Sequence, residues 1–185
     1  MPDTPRLVVF IVVSAAILAL SWRSLRNPRS HGFFRFFAAE LILVLILLNA
    51  EAWFRQPFAL HQLISWLLLV GSLLLAVHAF SLFRLLGKAA APPPGSSNVA
   101  FENTTQLITV CAYRYIRHPM YSSLLLLAWG AFLKDVTVLT ALSVLVASVF
   151  LYATARVEEK ENIERFGDAY ESYMKNTKMF IPFLL

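Results

Sequence analysis

The residues best suited to chemistry form a polar and aromatic segment directly before a long apolar run. Positions 113–121 read YRYIRHPMY. Pro119 predicts a helix start, because proline is favoured in the first turn, and this places Arg117 and His118 at the mouth of that helix. The backbone N–H groups, the helix dipole and Arg117 would together attract a carboxylate or phosphate. Interfacial anchoring by tyrosines and arginines that contact lipid headgroups is the alternative, and the residues leave both open.

A second polar cluster follows the last apolar run and is rich in carboxylates. Its members are Arg156, Glu158, Glu159, Glu161 and Glu164. Carboxylates at this position can bind a ribose diol or an ammonium group, or pair with Arg114 and Arg117. For Glu161 and Glu164 a solvated helix face is the preferred interpretation, with Glu161 and Arg165 paired at helical spacing.

Long apolar runs must position these two clusters. Of the 185 residues, 58% are hydrophobic and 15% are charged, which exceeds the apolar share of a soluble domain. Several runs approach the roughly 17 to 25 residues that cross a bilayer. We predict an all-α polytopic membrane protein with about five transmembrane helices, in a single membrane domain over residues 1–185. The predicted spans are approximately 7–22, 37–54, 63–85, 119–134 and 136–155.

The distribution of charge predicts the orientation of these spans. Only Arg6 precedes the first run as a basic residue, so the run is expected to remain as a membrane helix and not to act as a signal peptide. Arg23, Arg26, Arg29 and Arg35 follow it, and positive loops favour the cytoplasmic side. The predicted topology has a cytoplasmic loop at 87–118 and a cytoplasmic tail at 156–185. The basic residues lie between apolar runs and not on one soluble face, so no nucleic-acid partner is expected despite the net charge of +5.

The loop and the tail carry further local signals. Residues 89–98 contain three prolines and predict an exposed loop. In the tail, Gly167 predicts a helix end, and Asp168 can cap a second short helix on which Tyr170 and Tyr173 share a face. The tail is therefore expected to be a bent helical cap at the cytoplasmic membrane surface. The single Cys111 is expected to be a small packing residue.

The spacing of spans four and five brings the two clusters together. The turn at Lys134 and Asp135 is short, so the flanking helices are expected to be antiparallel neighbours whose far ends meet. Polar residues within the spans are costly in lipid and are expected to face the bundle or the headgroups. They are Glu40, Asn49, His61 and His78.

The motifs in the last 80 or so residues resemble the C-terminal signature of the isoprenylcysteine carboxyl methyltransferase family. They are the segments 117–121 (RHPMY), 158–159 (EE), 166–173 (FGDAYESY) and 181–182 (IP), in the same order and spacing. Phospholipid N-methyltransferases share a related pattern. The family usually has glycines where this chain has Cys111 and Ser123.

The resemblance implies an S-adenosylmethionine site. Cofactor-binding residues implied in this way are Tyr113, His118, Pro119, Tyr121, Glu158, Glu159 and Tyr170. Arg117 and His118 are the implied catalytic residues, and no metal is expected. Arg117 would face cofactor or substrate charge, and His118 is the candidate base for a protonated acceptor.

The implied reaction transfers a methyl group to a lipophilic or prenylated acceptor that arrives from the bilayer, at a site facing the cytoplasm. Direct displacement needs alignment of the reactants and no covalent protein intermediate. A phospholipid amine or a small thiol is an alternative acceptor. A reductase of the related sterol type is a more distant enzymatic alternative. A non-catalytic membrane assembly module is the alternative outside enzymes. The sequence does not indicate the oligomeric state.

Overall fold

Six α-helices make up most of the computed structural model, which describes residues 3–87 and 106–184. They are α1 (Asp3–Leu25), α2 (His31–Leu48), α3 (Leu60–Leu86), α4 (Pro119–Phe132), α5 (Val138–Phe166) and α6 (Asp168–Asn176). Short 3-10 turns occupy Ala50–Ala52 and Cys111–Arg114. The predicted all-α fold is confirmed. The predicted loop at 89–98 lies outside the described residues.

Four of the described helices, α1, α2, α3 and α5, are long and apolar enough to cross a membrane. Helix α4 is also apolar but has 14 residues, about 21 Å at the α-helical rise, which is short of the roughly 30 Å hydrocarbon core. The chain is therefore a multi-pass membrane protein whose described residues contain four full-length candidate spans and one shorter apolar helix, α4.

Helices α4 and α5 contact each other at the centre of the bundle, and each packs most extensively against one further helix. Helix α3 packs along α4, α2 packs along α5, and α1 packs against α2. Small residues line the central contacts, among them Ala128, Ala131, Ala147 and Ala155, all of which are fully buried. Small side chains let helix backbones approach closely, which is the main source of helix association in lipid.

Gly130 of α4 packs tightly against α3, and this gives a prediction. A Cβ atom at Gly130 would lie 2.9 Å from Leu69 Cγ and 3.3 Å from Leu68 Cβ, so the leucine side chains or the helices would have to shift. We expect Gly130→Ala to lower the free energy of unfolding in detergent by about 1 to 3 kcal/mol, the usual cost of overpacking. Gly71→Ala is the matched control, because its Cβ would meet only Leu126 Cδ1 at 3.8 Å. Equal effects of the two substitutions would contradict this packing.

The second and fifth helices depart from the predicted spans. Helix α2 begins at His31 and ends at Leu48, not at 37 and 54, because Asn49 leaves the helix and its Nδ2 donates to the Ala131 carbonyl at 2.7 Å. Helix α5 begins at Val138 and continues without interruption to Phe166, so residues 156–166 extend the helix that contains the predicted fifth span.

Gly167 ends α5 as predicted, with a positive φ of 56° that a side chain would disfavour. Asp168 was predicted to cap the second short helix. In the structure Gly167 occupies the N-cap position and Asp168 is the first residue of α6, so this prediction is wrong.

The end of the bundle away from the two clusters is closed by buried polar contacts. Lys134 Nζ donates to Gln62 Oε1 at 3.0 Å and lies 3.6 Å from the centre of the Trp66 ring. Burial lowers the pKa of the Lys134 ammonium. These contacts join the turn after α4 to the start of α3.

Two of the four polar residues expected to face the bundle or the headgroups, Glu40 and Asn49, lie within the bundle. Asn49 is buried, and Glu40 accepts a hydrogen bond from Ser14 Oγ at 2.8 Å. His61 and His78 are exposed on α3 and do not face the bundle.

Candidate active site

The segment that enters α4 is held in place by the chain's C-terminal end. Ile116 and Lys178 form a parallel β-bridge. The Arg117 amide donates to the Lys178 carbonyl at 2.8 Å, and the His118 amide donates to the Met179 carbonyl at 3.1 Å. Pro119 is the first residue of α4, as predicted, and His118 is the cap residue. The bridge therefore fixes the backbone of Arg117 and His118 at the helix mouth.

Arg117 joins the two polar clusters. Its Nε donates to Glu159 Oε1 at 2.7 Å, and its Nη1 donates to the carbonyls of Met174 and Thr177. Both side chains of the ion pair are buried, with 10% and 3% of the side-chain surface exposed for Arg117 and Glu159. The predicted meeting of the clusters is confirmed, and it is made through an ion pair enclosed by α6 and the segment after it.

His118 lies between both carboxylates of the second cluster. Its Nε2 is 3.6 Å from Glu159 Oε1, and its Nδ1 is 4.0 Å from Glu158 Oε2. The imidazole stacks on Tyr121 with 5.4 Å between ring centres. His118 is 4% exposed and is packed against the Tyr121 ring, while within the described residues its buried Nε2 has no hydrogen-bond partner.

Two adjoining cavities open beside this cluster. The first has a volume of about 140 Å³, and its walls include Met120, Leu124 and Phe83 as apolar groups. The second, of about 70 Å³, reaches Asn162 and Tyr170. Four residues line both cavities: Phe83, Tyr113, Arg117 and Glu158.

Most of the residues implied by the resemblance line these cavities. The first cavity is lined by Tyr113, Arg117, His118, Pro119, Tyr121 and Glu158, and the second by Tyr113, Arg117, Glu158 and Tyr170. Glu158 Oε2 also accepts a hydrogen bond from the Tyr121 hydroxyl. Glu159 lines neither cavity and lies behind Arg117.

The tyrosines of the site are held in the neutral, hydrogen-bonding form. Burial raises the pKa of Tyr113, Tyr170 and Tyr173 well above the usual range, and the charge of Glu158 adds to the effect at Tyr113 and Tyr170. The Tyr173 hydroxyl donates to the Tyr113 carbonyl at 2.5 Å. Within the described part of the chain the buried Tyr113 hydroxyl has no hydrogen-bond partner. It is therefore a donor and acceptor beside the cavities.

Some polar lining residues were not identified as site residues from the sequence. Among them, Arg35 of α2 borders the first cavity and Asn162 of α5 borders the second. Asn162 lies one helical turn after Glu158 on α5, so helical periodicity places the two side chains on the same face. In the sequence, Arg35 is one of four arginines that follow the first apolar run, and nothing in its spacing distinguishes it from the others.

Glu161 does not lie on a solvated face as expected. Its carboxylate accepts from the His31 amide at 3.1 Å and contacts the His31 ring Nδ1 at 2.6 Å, which ties the start of α2 to α5. Glu164 is exposed, as expected.

Cys111 is exposed and does not act as a packing residue. Its φ of 55° lies in the left-handed region that favours glycine. This position is one of the two at which the resembling family usually has a glycine.

Comparison with known proteins gives a consistent assignment. Residues 63–169 match the family model for phospholipid methyltransferases. A methanethiol S-methyltransferase of Pseudomonas deceptionensis is 30% identical over 122 residues, which are 62% of this chain and 42% of that protein. Methanethiol S-methyltransferase 1 of Bradyrhizobium diazoefficiens is 29% identical over 128 residues, 64% of this chain and 39% of that protein.

The chain thus spans about two fifths of the length of these two relatives. No solved structure matches. The family match contains both polar clusters and covers more than half of the residues, so the chain belongs to the phospholipid methyltransferase family.

Proposed function

We propose that this protein is an S-adenosylmethionine-dependent methyltransferase of the membrane whose acceptor is a small thiol. The observation that carries the proposal is the pair of adjoining cavities that share Tyr113, Arg117 and Glu158 at the mouth of α4. The family match and the names of the relatives support methyl transfer as the reaction class.

The chemistry of the lining residues fits this cofactor. S-adenosylmethionine carries a ribose diol and an ammonium group, which a carboxylate such as Glu158 can bind. The unpartnered hydroxyl of Tyr113 and the side chains of Asn162 and Tyr170 offer further hydrogen bonds beside that carboxylate. When bound, the cofactor supplies the methyl group that is transferred.

The protein's own contribution is alignment and exclusion of water. Arg117, held by Glu159, lines both cavities, and the stacked rings of His118 and Tyr121 form part of the wall of the first. A methyl displacement needs the reacting atoms in line, and a preorganised wall supplies this without a covalent intermediate. His118 lies 3.6 Å from Glu159 Oε1 and 4.0 Å from Glu158 Oε2, so its ring can orient a bound group or accept a proton beside the first cavity.

The relatives and the lining of the first cavity favour a small thiol over a prenylated cysteine as the acceptor. Both relatives are named methanethiol S-methyltransferases. The first cavity, of about 140 Å³, has an apolar wall from Phe83, Met120 and Leu124, which suits a small apolar group. The prenylated acceptor ranked first from the sequence is therefore replaced by the thiol alternative in this proposal.

The first experiment is calorimetric titration of detergent-purified protein with S-adenosylmethionine, with S-adenosylhomocysteine as competitor and His118→Ala as the site variant. We expect saturable binding that the variant weakens. Transfer of a labelled methyl group is then compared for methanethiol, phosphatidylethanolamine and a prenylcysteine analogue, and methanethiol should be preferred. Absence of binding by folded protein would instead favour a reductase or a non-catalytic module.

The proposed orientation places the site at the cytoplasmic surface. Single cysteines at Gln56 and Glu164, introduced after Cys111→Ala, test this because the two residues lie at opposite ends of the bundle. Only the cysteine at Glu164 should react with a membrane-impermeant reagent from the cytoplasmic side.

A further inference from the structure

A long apolar groove lies on a different side of α4 from the two site cavities. It has a volume of about 570 Å³, against about 140 Å³ for the first cavity. Its walls come from α3, α4, the turn before α4 and the segment after α6. On α4 it is lined by Ser122, Leu125 and Trp129, a stripe at helical spacing, whereas Tyr121 and Leu124 line the first cavity. The groove shares no lining residue with either site cavity.

The groove extends for about two helical turns. Its lining reaches from Ser122 to Trp129 on α4 and from Leu75 to Leu68 on α3. Each stretch covers about 10 Å at the α-helical rise. One leaflet of a bilayer has a hydrocarbon depth of about 15 Å, half of the roughly 30 Å core. An acyl chain of one leaflet is therefore long enough to fill the groove.

The interior of the groove offers hydrocarbon and aromatic surface. Ser122 is its one lining residue with an aliphatic hydroxyl, and the Ser122 Oγ already contacts the His118 carbonyl at 3.0 Å and the Phe180 carbonyl at 2.8 Å. The other lining side chains are aliphatic or aromatic. An occupant of this part of the groove must therefore be apolar, because no charged group is available to it.

The end of the groove at the mouth of α4 has the composition of a membrane interface. Tyr115 lines this end and is about half exposed. Its ring packs edge-on against Phe183, with 6.1 Å between ring centres. Tyrosine is enriched at the depth of lipid headgroups, because its ring is apolar and its hydroxyl is polar. We therefore expect this end of the groove to lie near the headgroups.

Two exposed cations flank the same end. Arg114 directly precedes Tyr115, and Lys178 pairs with Ile116 in the parallel β-bridge. Tyr115 and Ile116 both line the groove. Among the described residues, neither cation forms a salt bridge. Basic groups beside membrane helices bind the headgroups of anionic lipids. Apolar surface and positive charge thus occur together, as a lipid with an anionic headgroup requires.

We propose that this groove binds one acyl chain of an anionic phospholipid, with the headgroup phosphate at Arg114 and Lys178. A zwitterionic lipid would fill the groove with the same hydrocarbon but would gain less from the two cations, because its headgroup has no net charge. The lipid is a bound component and not the methyl acceptor, since the groove is separate from the site cavities. The inference does not depend on the proposed function.

The fluorescence of Trp129 tests the inference, because this ring lines the groove and bromine on an acyl chain quenches a tryptophan that it contacts. The full-length protein is placed in phosphatidylcholine vesicles that contain increasing fractions of brominated phosphatidylglycerol or brominated phosphatidylcholine. Trp129→Phe gives the signal of the other three tryptophans, which is subtracted. Half-maximal quenching of Trp129 should need an about tenfold lower fraction of phosphatidylglycerol, the preference expected from two cations at a lipid surface.

Charge variants test the headgroup contact. Arg114→Gln combined with Lys178→Gln should reduce the difference between the two lipids to about twofold or less. Lys160→Gln combined with Lys175→Gln is the matched control, because it removes the same charge from exposed positions that line neither the groove nor the site cavities. This control should keep the preference of the wild type.

A groove variant tests the acyl-chain contact. Ala112 lines the groove, so Ala112→Leu places additional side-chain volume there and should lower the quenching by both lipids. Circular dichroism of each variant in detergent shows whether it is folded.

Three results would overturn the inference. The first is equal quenching of wild-type Trp129 by the two brominated lipids, which requires no substituted cation. The second is a preference for phosphatidylglycerol that persists in the folded variant without Arg114 and Lys178. The third is protection of Trp129 from both lipids in a cross-linkable dimer, which would assign the groove to a second copy of the chain.

The proposed function is tested independently, because no arm of this experiment contains S-adenosylmethionine. Loss of the lipid preference would leave the methyltransferase proposal unchanged. Absence of S-adenosylmethionine binding in the calorimetric titration would likewise leave the lipid site in place.

Discussion

Replacing Glu159 by glutamine should lower the free energy of unfolding by about 3 kcal/mol, near the lower end of the usual cost of removing one partner from a buried ion pair. The Glu159 side chain is 3% exposed, and its Oε1 accepts from Arg117 Nε at 2.7 Å. Glutamine would leave the Arg117 charge buried without a counter-ion. The carbonyls of Met174 and Thr177 would still accept from Arg117, which is why the lower end is expected.

Unfolding in detergent, followed by circular dichroism, measures this change. Glu164→Gln is the matched control on the same helix, because Glu164 is exposed. Arg117→Met combined with Glu159→Met should recover part of the stability, since no unpaired buried charge remains. A loss for Glu159→Gln no larger than for Glu164→Gln would show that the ion pair contributes little to stability.

Replacing Glu158 by glutamine should weaken S-adenosylmethionine binding by about 10- to 100-fold, the value of one or two hydrogen bonds to a charged group. Glu158 lines both cavities, and its side chain is 28% exposed, so the effect on stability should be small. The Glu159 substitution differs, because its expected effect is on the free energy of unfolding.

Calorimetry with two ligands refines the Glu158 prediction. The amine and ribose groups are common to S-adenosylmethionine and S-adenosylhomocysteine, so the variant should lose affinity for both alike. A loss confined to S-adenosylmethionine would place Glu158 at the sulfonium. Unchanged affinity for both ligands, with Glu164→Gln again as control, would remove Glu158 from the cofactor site.

Local sequence signals predicted the membrane class of the fold and the location of the candidate site. Hydropathy summed over a run predicts a membrane helix because burial in lipid depends on the composition of the run and not on its partners. Pro119 and Gly167 marked a helix start and a helix end because each acts on its own backbone. The short turn at Lys134 brought the two polar clusters together, as expected.

The tertiary structure decided which side chains face the cavities. Successive residues on a helix point about 100° apart, so Glu158 lines both cavities while Glu159 turns inward to Arg117. The Glu161 contact with His31 and the position of Arg35 likewise depend on neighbours distant in sequence. No periodicity within one helix encodes them, because each is set by the packing of α2, α4 and the C-terminal segment around α5.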